Sequence, residues 1–171
     1  QHLLVNADAT QARIRSVVRT SLNALGKNDT LLLYFAGHGV AISGVNYISC
    51  YDSRSSDLAG TCVEITWLFD QFKASDCQKI VLFLDACRSG IIGPEGMLAI
   101  YSAFDADELK KFLAKAEHCV CFAACQTDQS SWPSNDFKHG IWTYHLIEAC
   151  DGRAEMALKG RLLTDTSLQN Y

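Results

Sequence analysis

The sequence has no apolar run approaching the roughly 20 residues needed to span a bilayer. Its first ten residues, QHLLVNADAT, carry neither a basic n-region nor a long apolar h-region. Neither a transmembrane helix nor a secretory leader is expected, so the chain reads as soluble, with a cytoplasmic location expected. A positive field is also lacking. Fifteen Lys and Arg stand against nineteen Asp and Glu, for a formal charge of −4, and the basic residues are scattered rather than gathered into a stripe with aromatics between them. No nucleic-acid and no membrane partner is expected. There are only two prolines, no Pro/Gly-rich linker, no internal repeat and no low-complexity stretch, which leaves a single domain as the simplest organisation. Eight cysteines are present, but without a leader an even count does not establish an oxidising compartment. Cys119, Cys121 and Cys125 lack the usual CxxC knuckle and a matching second pair, so no metal and no cofactor is expected. They read as reduced thiols, with Cys119 and Cys121 sharing one face of a strand as small buried hydrophobes.

What remains is 171 residues of ordinary globular composition, 49% hydrophobic and 20% charged, enough to bury a genuine core. Ile14, Val17, Val18, Leu22 and Leu25 form an apolar stripe at helical spacing, closed by Gly26. A short apolar run, His2 to Val5, precedes it and reads as a strand. Leu31 to Phe35 is a continuous apolar run breaking at Gly37, the pattern of a strand buried on both faces. Residues 40 to 60 are rich in Gly, Ser, Asp and Asn and read as a long loop, with only Tyr47 to Tyr51 extended. Ile65 to Phe72 predicts a helix, and Lys79 to Leu84 a second buried strand ending at Asp85. Asp105 with Glu108 predicts a helix start before LKKFLAK. HCVCFAAC predicts a third strand, 126 to 138 a polar loop around Trp132 and Pro133, and Gly140 opens a helix through IWTYHLIEAC. Buried strands alternating with helices imply right-handed crossovers and a mainly parallel sheet with helices on both faces. The fold class is α/β.

Ligands of open α/β sheets bind beyond the carboxyl ends of the strands. Two such exits carry chemistry: LLLYF runs into AGHG, and KIVLFL runs into DACRSG. Either His38 or Cys87 alone is more often an ordinary residue. At one edge of one sheet, an imidazole and a thiol are what covalent peptide hydrolysis requires. The thiolate attacks, and the imidazole takes its proton and returns one to the departing amine. Backbone N–H groups around Gly39 and Cys87 can meet a developing oxyanion, because glycine leaves close approach open.

YFAGHG followed by LFLDACRSG resembles the paired histidine and cysteine motifs of the caspase, paracaspase and metacaspase superfamily. The NADAT helix before the first motif is similar to prokaryotic metacaspase-like members, and GIWTYHLIEA to the helix of their small-subunit portion. His38 precedes Cys87 by 49 positions, in line with the offset of about 50 of the caspase signature. The resemblance covers nearly the whole chain. It implies a three-layer α/β/α sandwich around a mainly parallel sheet, with a large-subunit-like part over about 1–117 and a small-subunit-like part over 118–171. It assigns catalysis to His38 and Cys87 and the oxyanion hole to the backbone of Gly39 and Cys87.

Where animal caspases have Gln two residues before the nucleophile, this sequence has Asp85, as metacaspases and paracaspases do. The resemblance then implies cleavage after Arg or Lys. A partly buried carboxylate binding a guanidinium by a charge-assisted contact agrees with this; the bland alternative is a turn cap. Family members usually carry a further strand before the region of His2 to Val5, so the chain is expected to be a processed or truncated piece of a longer protein, with a missing amino-terminal segment or a fused regulatory domain as partner. Self-cleavage near Lys110, Lys111 and Lys115 competes with a charged helix face at those positions. Some metacaspases need calcium, and Asp52 and Asp57 lie in a suitable loop, but two acids in a polar loop are read as solvated and no metal is expected there. A tyrosine-phosphatase-like site needs Arg six residues after the thiol, where Gly93 stands, and no GxSxG, P-loop or GxGxxG motif occurs. The expected partner is a protein or peptide substrate; the rival reading is an inactive scaffold that acts through protein–protein contacts.

Overall fold

Thr10 starts the first helix by accepting a hydrogen bond from the Arg13 N–H at 3.3 Å, which satisfies one of the donors a helix leaves open in its first turn. The computed structural model describes residues 1–87, 91–92, 98–99, 119–124, 133–134 and 139–171. Its elements run α1 (Gln11–Asn23), β1 (Thr30–Ile42), β2 (Val45–Ile48), α2 (Leu58–Thr61), β3 (Val63–Glu64), α3 (Ile65–Ala74), β4 (Lys79–Cys87), β5 (Ile91–Ile92), β6 (Leu98–Ala99), β7 (Cys119–Ala123), β8 (Pro133–Ser134), β9 (His139–Gly140), α4 (Ile141–Cys150), β10 (Leu158–Lys159), β11 (Leu162–Leu163) and α5 (Asp165–Gln169). The principal sheet has the order β3-β2-β1-β4-β7. β1, β4 and β7 are parallel, and β2 and β3 extend the sheet by antiparallel pairing.

Helices lie on both faces, as the sequence predicts. On one, Val18 and Leu22 of α1 and Ile65, Leu68, Phe69 and Phe72 of α3 close over Ile80, Leu82 and Leu84 of β4. Phe69, Leu68, Leu82 and Leu84 are fully buried, and each such side chain contributes about 1.5–3 kcal/mol. Arg15 and Arg19 tie α1 to α3 by lying over the Trp67 ring, 4.8 and 5.4 Å from its centre. On the other face Phe83 of β4 stacks on Phe122 of β7 at 5.3 Å and tilts against Trp142 of α4 at 6.3 Å.

The expected helices at 65–72 and after Gly140 are present as α3 and α4, and the strands as β1, β4 and β7. Other expectations are corrected. His2 to Val5 forms no strand: no described strand pairs with it, and Leu3 and Val5 remain 79% and 53% exposed. β1 does not break at Gly37. It continues through the histidine motif to Ile42 and turns through Ser43 and Gly44, both at positive φ, into β2. A two-residue turn with both φ positive matches the twist of a hairpin, so the stretch read as a long loop begins with this hairpin. Gly37 is tolerated because the Phe35 ring covers it; a Cβ there would stand 2.8 Å from Cζ of that ring. Nor is β1 buried on both faces. Its exposure alternates, with Leu31, Leu33 and Phe35 packed on the core while Leu32 and Tyr34 are 63% and 44% exposed. The carboxyl-terminal residues, unpatterned in sequence, form the β10–β11 hairpin and α5, joined by a small cluster of Ala149, Ala154, Ala157, Leu163 and Leu168. The helix expected near Asp105 and Glu108, with Lys110, Lys111 and Lys115, lies outside the described residues, as do Trp132 and Cys125. No described helix is long and apolar enough to cross a membrane.

Candidate active site

β1 and β4 run side by side for nine paired positions, from Thr30 opposite Lys79 to His38 opposite Cys87. His38 and Cys87 are the last of these pairs among the described residues, so the two motifs are in register across adjacent parallel strands, with His38 inside β1 four residues before its end at Ile42. The backbone of Cys87 is described; its side chain lies outside the described residues. His38 is exposed, and its carbonyl accepts a hydrogen bond from the Ser49 N–H at 2.9 Å, which fixes the histidine backbone to the strand opposite. Gly39 follows, buried and facing Ile48 of β2. The sequence places the histidine in a loop after its strand, whereas the structure keeps it within β1. The local signal for the longer strand was the Ser43-Gly44 pair, a turn dipeptide between two apolar segments.

Asp85 stands two residues before Cys87, opposite Ala36, and is only 5% exposed. A carboxylate so buried requires hydrogen bonds. One comes from Thr143 of α4, whose hydroxyl donates to Oδ2. The Thr143 oxygen lies 2.7 Å from the hydroxyl of Tyr34 of β1. Since Thr143 has one proton and gives it to the carboxylate, Tyr34 donates to Thr143. The helix approaches this closely because residue 140 is glycine: a Cβ there would sit 2.7 Å from Oδ2. Gly140 is the N-cap of α4, so the carboxylate meets the positive end of the helix dipole. A lone turn-cap role for Asp85 does not describe this setting, since its Thr143 partner is 58 residues away in sequence.

Tyr34 and Thr143 were not singled out from the sequence, and Gly140 only as the residue that opens a helix. Thr143 sits in an apolar helical stretch with no local sign of a charged partner. The other acids with assigned possibilities have structural roles. Asp52 accepts from the Gln11 N–H at 2.8 Å, and Asp57 caps α2 by accepting from the Gly60 N–H at 3.0 Å. No group of three or more His, Cys, Asp or Glu positioned for a metal ion occurs among the described residues.

The thiols away from this edge are of another kind. Cys50, Cys62, Cys77, Cys119, Cys121 and Cys150 are free. Burial pushes the Cys121 thiol up to about 12, with the neighbouring Cys119 adding to it, and burial pushes Cys119 up to about 11. Both pack against the core from β7, sharing a face as expected. Cys50 is pushed up to about 11, chiefly by burial, then by Cys62 and Asp52. Such thiols stay protonated and unreactive near neutrality. A cleft of about 510 Å³ between β7, α4 and α5, lined by Trp142, His145, Asp165 and Tyr171 among others, includes neither His38 nor Asp85.

Comparison with known proteins agrees with the architecture. The family model for the caspase domain matches residues 3–167. The crystal structure of protein GSU0716 from Geobacter sulfurreducens superimposes with a TM-score of 0.60 at 16% identity, over 88% of this chain and 65% of that one. At that identity the likeness is one of fold, and the chain spans about two thirds of the length of that protein. A search of curated proteins returns no match.

Proposed function

The chain belongs to the caspase-domain family of cysteine peptidases, and on that premise we propose that it is a cysteine endopeptidase with Cys87 as nucleophile, His38 as acid/base and Asp85 as the P1-selecting carboxylate. The observation that carries the reading is the strand register, in which positions 38 and 87 are paired across the adjacent parallel strands β1 and β4. Paired positions on adjacent parallel strands present their side chains to one face of the sheet, where two groups can share one scissile amide.

In this mechanism His38 accepts the Cys87 proton, and the thiolate forms a bond to the scissile carbonyl carbon. The carbonyl electron pair moves onto oxygen, where the N–H groups of Gly39 and Cys87 hold the oxyanion. As the pair returns, the C–N bond breaks and the leaving nitrogen takes its proton from the His38 imidazolium. A thioester remains. Water, deprotonated by His38, attacks it, the C–S bond breaks, and the carboxylic product leaves with the thiol restored. Asp85 supports selection of a basic P1 side chain, because a buried carboxylate attracts a guanidinium or ammonium and repels an acid.

The test is peptide cleavage by the wild type, Cys87→Ala and His38→Ala on fluorogenic substrates that differ only at P1. Cys87→Ala should abolish turnover, and His38→Ala should lower kcat by about 10²–10⁴-fold. Cleavage should be faster after Arg or Lys than after Asp. Equal turnover by wild type and Cys87→Ala would refute the peptidase mechanism, as the scaffold reading requires, and faster cleavage after Asp would refute the P1 assignment.

A further inference from the structure

The acid proposed for P1 recognition lies on β4, but what holds it in place comes from elsewhere in the chain. Thr143 belongs to α4 and Tyr34 to β1, 58 and 51 positions from Asp85 in sequence. The three groups form one directed chain, in which the Tyr34 phenol donates to the Thr143 oxygen at 2.7 Å and the Thr143 hydroxyl donates to Asp85 Oδ2. Thr143 is 8% exposed and Asp85 5% exposed, whereas Tyr34 is 44% exposed. The chain therefore runs from a partly solvated phenol to a buried carboxylate, each bond polarising the next. The amino end of α4 comes this close because residue 140 is glycine, since a Cβ there would lie 2.7 Å from the same oxygen. Oδ2 is thus held by Thr143 in a space that has no room for a side chain at position 140.

We propose that Thr143, supported by Tyr34, is a positioning residue for P1 recognition: it orients the Asp85 carboxylate toward a basic substrate side chain, so that selectivity is set jointly by β4 and α4. This rests on the peptidase reading above. The physical reason is that a carboxyl group rotates about χ2 with little resistance. Ordering it in advance spares a bound guanidinium or ammonium the cost of doing so.

The experiment compares wild type, Thr143→Val, Thr143→Ser and Tyr34→Phe on peptides with Arg, Lys or citrulline at P1. Citrulline keeps the shape of arginine without its charge. Thr143→Val, nearly isosteric but without the hydroxyl, should raise KM for the Arg peptide by about tenfold with kcat altered less than about threefold, and should collapse the Arg-to-citrulline ratio. Thr143→Ser, which retains the hydroxyl, should restore both. Tyr34→Phe should shift KM in the same direction by a smaller factor. Alkylation of Cys87 by iodoacetamide, followed by peptide mapping, should proceed at the wild-type rate in all three variants, which a general loss of structure would not permit. If Thr143→Val does not fold, Tyr34→Phe and Thr143→Ser carry the comparison. An unchanged Arg-to-citrulline ratio in folded Thr143→Val, or in Tyr34→Phe if that variant carries the test, overturns the positioning role and leaves the peptidase reading standing. Failure of the wild type to cleave any peptide overturns the peptidase reading instead. The same peptides are then compared by dissociation constant, and equal Arg-to-citrulline ratios in wild type and variant overturn the positioning role too.

Discussion

Replacing Gly140 by alanine adds a single methyl group, and the structure predicts the sign of its effect. At φ −61° and ψ 145° the backbone of Gly140 suits any L-residue. Considered locally, Gly140→Ala should stabilise the protein by about 0.4–1 kcal/mol through loss of unfolded-state freedom. The added Cβ, however, would lie 2.7 Å from Asp85 Oδ2. That oxygen belongs to a short, buried side chain tied to Thr143, so it has little room to retreat. Overpacking of this kind costs about 1–3 kcal/mol. The net expectation is destabilisation by about 0.5–2 kcal/mol, equivalent to a fall of roughly 1–8 °C in Tm for a chain of this size. In an Asp85→Ala background the offending oxygen is gone, and the same Gly140→Ala change should become stabilising by about 0.4–1 kcal/mol. Urea unfolding of the four proteins in this cycle measures both effects. A stabilised single variant, or a double variant as destabilised by the methyl as the single one, would refute the packing of Asp85 against the start of α4.

Gly37→Ala should destabilise by about 1–3 kcal/mol, because its Cβ would meet the Phe35 ring at 2.8 Å; an unchanged urea midpoint would show that the ring does not cover this glycine. Alkaline pH should weaken the fold through the buried thiols. Cys50, Cys119 and Cys121 are raised from 9.0 to about 11, 11 and 12. The folded protein therefore keeps protons that the unfolded chain loses, and the stabilisation is complete below pH 9 and disappears as pH rises from 9 toward 12. A fall across that window that is smaller in a Cys119→Ala/Cys121→Ala variant than in the wild type would assign that share of the loss to β7, with Cys50 carrying part of the remainder; an equal fall in both would remove it from these two thiols. The cleavage tests on Cys87, His38, Thr143 and Tyr34 given above complete the set.

The apolar runs of β1, β4 and β7 and the stripe of α1 were legible in the sequence because burial selects apolar residues in continuous runs or at helical spacing, both of which residue order displays. So was the presence of the two motifs, since His38 and Cys87 each follow an apolar run; that the two runs are neighbours in the sheet came from the structure. Length of pairing was less legible. β1 passes through AGHG because β2 folds back on it and the Phe35 ring covers Gly37, and neither circumstance is local to the motif. His2 to Val5 shows the reverse case, an apolar segment that forms no strand because no described neighbour supplies hydrogen bonds.

By itself the sequence determined the fold class, the order of the parallel strands' motifs and the identity of the residues proposed for chemistry. These follow from short-range pattern, and a pattern survives whatever the chain does elsewhere. Only the tertiary structure decided that positions 38 and 87 stand in register, and that Asp85 is buried against the amino end of α4 and bonded by Thr143. Register and long-range hydrogen bonds join residues some 50 to 110 positions apart. Such pairings are set by how strands and helices pack together, which no local stretch of sequence encodes.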